Sequence, residues 1–189
     1  MRIRDARGAD ARAIARVHVD AWRNAYAGLL PDRMLARMSG RVHAARWEAT
    51  LRQRGRDERV LVAELDRAGV VGYGNCGPSR VRSLPHAGEV YELYVAPEYQ
   101  ERGIGRRLLQ RLFDRLVEAG ADSAVVWVLA ANPARFFYET MGGRRVAERD
   151  EALWNVVLPQ AAYGWDDLKA IRAGQAPLRR GSGLGPPPR

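Results

Sequence analysis

Lysine is almost missing from this 189-residue chain: of its 31 basic residues, Lys169 is the sole lysine and the other 30 are arginines. A phosphate-binding P-loop and an ordinary Schiff-base enzyme both need a lysine inside the site, and one near the chain's end does not supply it. Cysteine is just as scarce. Cys76 stands alone, so no internal disulfide can form, and a cytoplasmic protein is the expectation. The three histidines, His18, His43 and His86, are scattered without the paired spacing of a zinc site, and no metal is expected. No G-x-S-x-G nucleophile elbow occurs. No apolar run approaches the roughly 18 to 20 residues of a membrane span. The opening stretch MRIRDARGADARAIAR has no apolar h-region, so neither membrane nor secretory signal is expected.

What is present is enough for a core. Hydrophobic residues make up 47%, and the length fits one domain with a tail. The net charge of +9 suggests nucleic acid, but its placement does not. Residues 169–189 hold Lys169, Arg172, Arg179, Arg180 and Arg189 with no acid, which leaves +4 for the first 168. There, arginines are interleaved with acids and no base-reading motif appears, so no specific nucleic-acid partner is expected. We divide the chain into a domain over 1–168 and a basic, Gly/Pro-rich flexible tail over 169–189.

Periodicity gives the elements. IRDA, residues 3–6, predicts a short strand, and Asp10 caps a helix to about Ala25 with Ala13, Ile14, Val17, Ala21 and Trp22 on one face. DRMLARM and RVHAARWEATL predict shorter helices. RVLVAEL and VVGYGNC predict a hairpin, residues 77–88 a loop, and EVYELYV a strand over 89–95. Residues 104–119 predict a helix with a broad apolar stripe, followed by the nearly all-apolar strand AVVWVLA over 124–130. Pro133 opens a further helix to Met141, then RRVAERD and a strand ending in AAYGW finish the fold. This is an α/β order with antiparallel hairpins first and one β-α-β crossover over 89–130, which should be right-handed.

YQERGIGRRLL, residues 99–109, sits between strand and helix. The first N–H groups of a helix have no internal acceptors and lie at the positive end of its dipole. Gly103 and Gly105 remove side chains there, while Arg102, Arg106 and Arg107 add positive charge, so a pyrophosphate could dock. A dinucleotide fingerprint would need a third glycine where Leu108 stands. From the two glycines alone, a phosphate cradle and a plain loop before an ordinary helix weigh equally.

The longer string LYVAPEYQERGIGRRLL resembles the GNAT superfamily of N-acetyltransferases, whose signature [Q/R]-x-x-G-x-[G/A] reads here from Gln100 through Gly103 to Gly105. NPARFFYETMGG, residues 132–143, resembles the family's N-x-x-A-x-x-F-Y-E-x-x-G segment with the Asn-to-Tyr spacing one residue shorter. HVDAWRNAYAGLLP is similar to the opening helices of many small bacterial members. The resemblance covers residues 2–168. It implies a mixed, mostly antiparallel sheet with a central splayed parallel strand pair, flanked by helices. It implies acetyl-CoA as co-substrate, bound by the main chain of Leu93, Tyr94 and Val95, by the loop Gln100, Glu101, Arg102, Gly103, Ile104, Gly105, Arg106 and Arg107, and by Asn132, Arg135 and Tyr138.

The resemblance also implies direct transfer to an amine in a ternary complex. The Leu93 amide would polarise the thioester carbonyl, and Tyr138 would protonate the leaving thiolate. From the residues alone, Tyr138 reads as a helix tyrosine packed beside Phe136 and Phe137; the resemblance is what favours the catalytic role. Glu89 is the first choice for the base and Glu92 the alternative. Their strand parity differs, so they should face opposite sides unless a bulge intervenes. A solvated strand-end carboxylate is an equal reading of Glu89. His18, Trp22 and Tyr26 share one helical face and, with Tyr73, Tyr94 and Glu92, line an acceptor pocket or simply pack on the sheet. The expected acceptor is a small-molecule primary amine. A protein N-terminus or lysine, and a non-catalytic acyl-CoA-binding module, are the alternatives. A homodimer is left open.

Overall fold

The computed structural model of the protein describes residues 1–53, 55, 57–153 and 156–172. Strand β1 (Arg2–Asp5) leads through a 3-10 turn into α1 (Ala11–Ala25), α2 (Asp32–Ala36) and α3 (Gly40–Gln53). Strands β2 (Arg59–Leu65), β3 (Gly69–Pro78) and β4 (Gly88–Val95) follow, then α4 (Ile104–Glu118) and β5 (Ala124–Leu129). Helix α5 (Ala134–Thr140), strands β6 (Arg144–Leu153) and β7 (Val156–Trp165), and α6 (Leu168–Arg172) complete it. Helix α6 begins at Leu168 and runs into the stretch from 169 on that the sequence assigns to the tail, where Lys169 pairs with Asp122 and Arg172 with Asp114. Residues 173–189, the rest of that stretch, lie outside the described residues.

The strands form one sheet in the order β1-β2-β3-β4-β5-β7-β6. Every neighbouring pair is antiparallel except β4 and β5, the two strands joined by the α4 crossover. Ile104, Leu108, Leu109, Leu112, Phe113 and Leu116 form the buried stripe of α4, and each such side chain contributes about 1.5–3 kcal/mol of burial. They pack with Leu61, Val71, Val90 and Val126 on one face of the sheet. Helices α1 and α3 cover the other face through Ile14, Val17 and Trp47 against Val60, Val62 and Tyr73. Asp10 does not cap α1 with its side chain. Its carboxylate turns back to the Arg7 amide at 2.7 Å and to the Arg4 guanidinium at 2.7 Å, bracing β1 instead.

Two irregularities shape the middle of the sheet. Pairing between β4 and β5 covers only Gly88–Val90 against Ala124–Val126, although β4 runs on to Val95 and β5 to Leu129. The two strands therefore part beyond Val90. On its other side β4 carries a bulge: Asn75 faces Glu92 while the next residue, Cys76, faces Val90, so Tyr91 is the extra residue. The Tyr91 hydroxyl lies 2.5 Å from where a Cβ on Gly77 would sit, so a side chain there would displace it.

Candidate active site

The open stretch of β4 supplies main-chain donors. Ala96 donates its N–H to Val71 O on the β3 side at 2.9 Å. Alternation along an extended chain then turns the N–H groups of Leu93 and Val95 the other way, into the gap where β5 has moved off. Their side chains stay in the core on the α4 face. The Val95 carbonyl, on the same edge, accepts the Gln100 side-chain amide at 3.0 Å, which ties the next loop to the strand end.

That loop bends through two left-handed residues, Glu101 at φ 61° and Gly103 at φ 75°. Left-handed residues amid right-handed ones turn successive N–H groups towards one concave side, a geometry that suits anions. Gly103 is the residue before α4 and has no side chain with which to cap the first turn. The N–H groups of Ile104, Gly105 and Arg106 are thus a helix start without intrahelical acceptors. Arg107 is the first to donate back, to Gly103 O at 3.2 Å. Gly103 is needed for its backbone angle, since a Cβ there would touch nothing; at Gly105 a Cβ would meet the Phe137 ring at 3.6 Å, an ordinary contact. Arg102 and Arg106 are exposed beside the loop, with Arg102 over the Tyr99 ring at 5.3 Å. Arg107 instead lines a 670 Å³ cavity between β1, α4 and α6, with Met1, Ile3 and Phe113. These features fit a diphosphate held by main chain at the mouth of α4.

Beyond the gap, α5 and the turn before it bring in three of the expected residues. Tyr138 is 6% exposed, its ring 5.3 Å from Phe137 and 6.2 Å from Trp165. Burial, aided by the nearby Tyr26 phenol, holds its hydroxyl well above the usual tyrosine range, so it keeps its proton at neutral pH. Asn132 accepts the Ala134 amide at 2.9 Å and donates to the Tyr26 hydroxyl at 3.2 Å, joining the start of α5 to the end of α1. Arg135 lies over the Phe136 ring at 4.3 Å.

The aromatic stripe of α1 meets the sheet here. Trp22 contacts Tyr26 at 4.6 Å between ring centres and stacks on His18 at 5.5 Å. Tyr73 and Tyr94 lie 5.8 Å apart, with His18 edge-on to Tyr94 at 5.4 Å. The Tyr73 hydroxyl donates to Glu92 Oε2 at 2.5 Å and sits 2.7 Å from His18 Nδ1. The Asn132 bond to the Tyr26 hydroxyl carries this cluster on to the start of α5. Trp22, Tyr26, Tyr73 and Glu92 are thus brought together.

Glu89 is elsewhere. It is 1% exposed, and its carboxylate accepts the Arg80 backbone N–H at 2.8 Å and the Arg80 guanidinium at 2.5 and 3.1 Å. The bulge at Tyr91 has also changed the parity, placing Glu89 opposite Gly77 and Glu92 opposite Asn75, on one face. A carboxylate fully engaged in this fork is a strand-to-loop brace, and Glu92 is the acid at the aromatic cluster. The sequence reading missed Arg80, in a loop with no periodic signal, and His43 of α3, whose ring centre lies 4.7 Å from that of His18. Among the described residues, no group of three or more His, Cys, Asp or Glu could hold a metal ion, and no helix is long and apolar enough to cross a membrane.

Residues 8–142 match the profile of the acetyltransferase (GNAT) family. The chain is 32% identical over 170 residues to the uncharacterized N-acetyltransferase YuaI of Bacillus subtilis (strain 168), spanning 90% of this chain and 95% of that one. The structure of yncA from Salmonella typhimurium, solved with its cofactor acetyl-CoA, superposes with a TM-score of 0.64 at 25% identity, covering 89% of this chain and 94% of the other. A ribosomal-protein-alanine N-acetyltransferase from Brucella melitensis superposes with a TM-score of 0.65 at 25% identity, covering 87% and 99%.

Proposed function

Because the chain belongs to the GNAT family of acetyltransferases, we propose that it moves an acetyl group from acetyl-CoA directly to the primary amine of a small molecule, within a ternary complex. Acetyl-CoA, when bound, supplies the acetyl group activated as a thioester. One observation carries the reading: free main-chain donors of β4 lie beside a main-chain cradle at the start of α4. The amides of the cradle hold the diphosphate, and Gln100 fixes the loop to Val95 so that cradle and strand edge keep their spacing. The Leu93 N–H, turned into the gap, would donate to the carbonyl oxygen of a bound thioester, where a fixed dipole lowers the barrier as negative charge develops. Tyr138 keeps a proton for the sulfur side. Asn132 sets the angle between α5 and Tyr26.

A small acceptor is favoured by the walls at the other side. The half-buried Trp22 and Tyr94 give flat apolar surfaces, backed by the buried Tyr26 and Tyr73, with the half-buried Glu92 as the carboxylate beside them, which suits one ammonium on a compact body. The test is thiol release from acetyl-CoA against amino acids, polyamines, aminoglycosides and short peptides. Turnover of one small-amine class, with peptides inert, is expected. Turnover of peptides alone would replace the small-molecule reading by a protein-acting one. Binding of acetyl-CoA without turnover of any acceptor would reduce the chain to an acyl-CoA-binding module.

A further inference from the structure

We infer that His18 is the group that takes the proton from the incoming ammonium, held in the required tautomer by a hydrogen-bonded chain through Tyr73 to Glu92. This rests on the acetyltransferase reading above and adds a proton path to it. Three elements meet to build the chain: His18 on α1, Tyr73 on β3 and Glu92 on β4, with links of 2.7 and 2.5 Å.

The direction of each link follows from chemistry. The Tyr73 hydroxyl is fully buried beside a carboxylate, and both push its ionisation well above the ordinary tyrosine range, so it holds its proton. A carboxylate only accepts, so that proton points to Glu92 Oε2. The phenol oxygen must then accept the remaining link from a protonated Nδ1 of His18. A neutral imidazole carries one N–H, so its Nε2 is left with the lone pair. The usual use of a second partner behind a histidine is to fix tautomer and ring angle in this way.

The step balances simply. An N–H bond of the substrate ammonium breaks, an Nε2–H bond forms, and the positive charge moves from amine to imidazole. Glu92 Oε2 lies 3.7 Å from Nδ1 and offsets that charge. The His18 side chain is 10% exposed, which lets the proton pass to water before the next cycle. The other groups facing His18 are Trp22 from its own helix, Tyr94 from β4 and His43 from α3. Burial, then the charge of His18, then Arg46, lower the pKa of His43 against the opposing pull of Glu92, which favours its neutral form. Glu92 is thereby a positioning residue for His18, which explains why a carboxylate at the acceptor end is tied to a buried phenol.

Two-bond 1H–15N NMR on histidine-labelled protein, with His18 assigned through His18→Gln, reads the tautomer without any acceptor. The Nδ1–H form is expected in the wild type, and its loss in Tyr73→Phe. With the fastest amine of the panel above, His18→Gln should lose about 100-fold in kcat/KM and flatten the low-pH limb, while added imidazole restores part of the rate to His18→Ala. Tyr73→Phe, which keeps the ring, should lose about tenfold with that limb displaced. Acetyl-CoA affinity by calorimetry should stay within about twofold, a change under 1 kcal/mol. An Nε2–H tautomer in the wild type, or a His18→Gln enzyme with wild-type rate and pH profile, would overturn the inference. A wild-type chain that neither binds acetyl-CoA nor releases thiol would instead overturn the acetyltransferase reading beneath it.

Discussion

Replacing Glu89 by glutamine separates a structural carboxylate from a catalytic one. In the wild type both Glu89 oxygens are used: Oε2 by the Arg80 backbone N–H, Oε1 by two guanidinium nitrogens. Glutamine keeps one acceptor and turns an NH2 group towards a donor. A hydrogen bond to a charged group is worth about 1.5–3 kcal/mol. The Arg80 side chain is 62% exposed and can recover water, which places the loss near the low end, about 2 kcal/mol. For a domain of this length each kcal/mol moves Tm by about 2–4 °C, so the variant should melt about 4–8 °C lower. Its kcat should stay within about threefold of wild type, a change under 1 kcal/mol in the barrier. Thermal melts by circular dichroism and thiol release on the same preparation give both numbers. An unchanged Tm with kcat down about 100-fold or more would mean that Glu89 is the base after all and that the Arg80 fork opens in the working enzyme.

Three further outcomes follow from the same contacts. Tyr138→Phe should lower kcat about 100-fold or more while leaving acetyl-CoA affinity and Tm unchanged, because the ring packing stays; full turnover would remove Tyr138 as the acid. Cys76 is buried with its thiol pushed up to about 12 by loss of solvent, so it should not react with a disulfide reagent at pH 8 until the protein is unfolded; titration of one thiol in the native state would contradict that burial. Asp10→Asn should be destabilised at neutral pH. The Arg4 bond lowers the folded pKa of Asp10 below its free value of 3.8, so the stabilisation is complete above that value and fades as pH falls through the folded pKa. Melts of the two proteins should therefore converge only in strong acid, and a gap that closed at neutral pH would contradict the assignment.

The parts of the fold with a clear period were legible in the chain. RVLVAEL forms β2 over the expected seven residues, and the apolar stripe of α4 runs where its spacing puts it. The parallel partnership of β4 and β5 followed from the crossover, while the left-handed angles of Glu101 and Gly103 came only with the structure. What stayed hidden depended on long-range contacts. One extra residue at Tyr91 moves Glu89 and Glu92 to the same face, and no local pattern announces a bulge. Arg80 finds Glu89 from an irregular loop, and His43 reaches His18 from a separate helix. The choice between two carboxylates, open in the sequence, turns on those contacts. The stripe of His18, Trp22 and Tyr26 was visible as a stripe; the short bonds from Tyr73 to His18 and Glu92 were not.

The most direct measurement is an amide 1H–15N NMR titration of the protein with acetyl-CoA. The largest shifts should fall on the N–H groups of Leu93 and Val95 and on residues 101–106. Saturation with those amides unmoved, and shifts gathered instead around the cavity beside Arg107, would contradict main-chain capture at the mouth of α4.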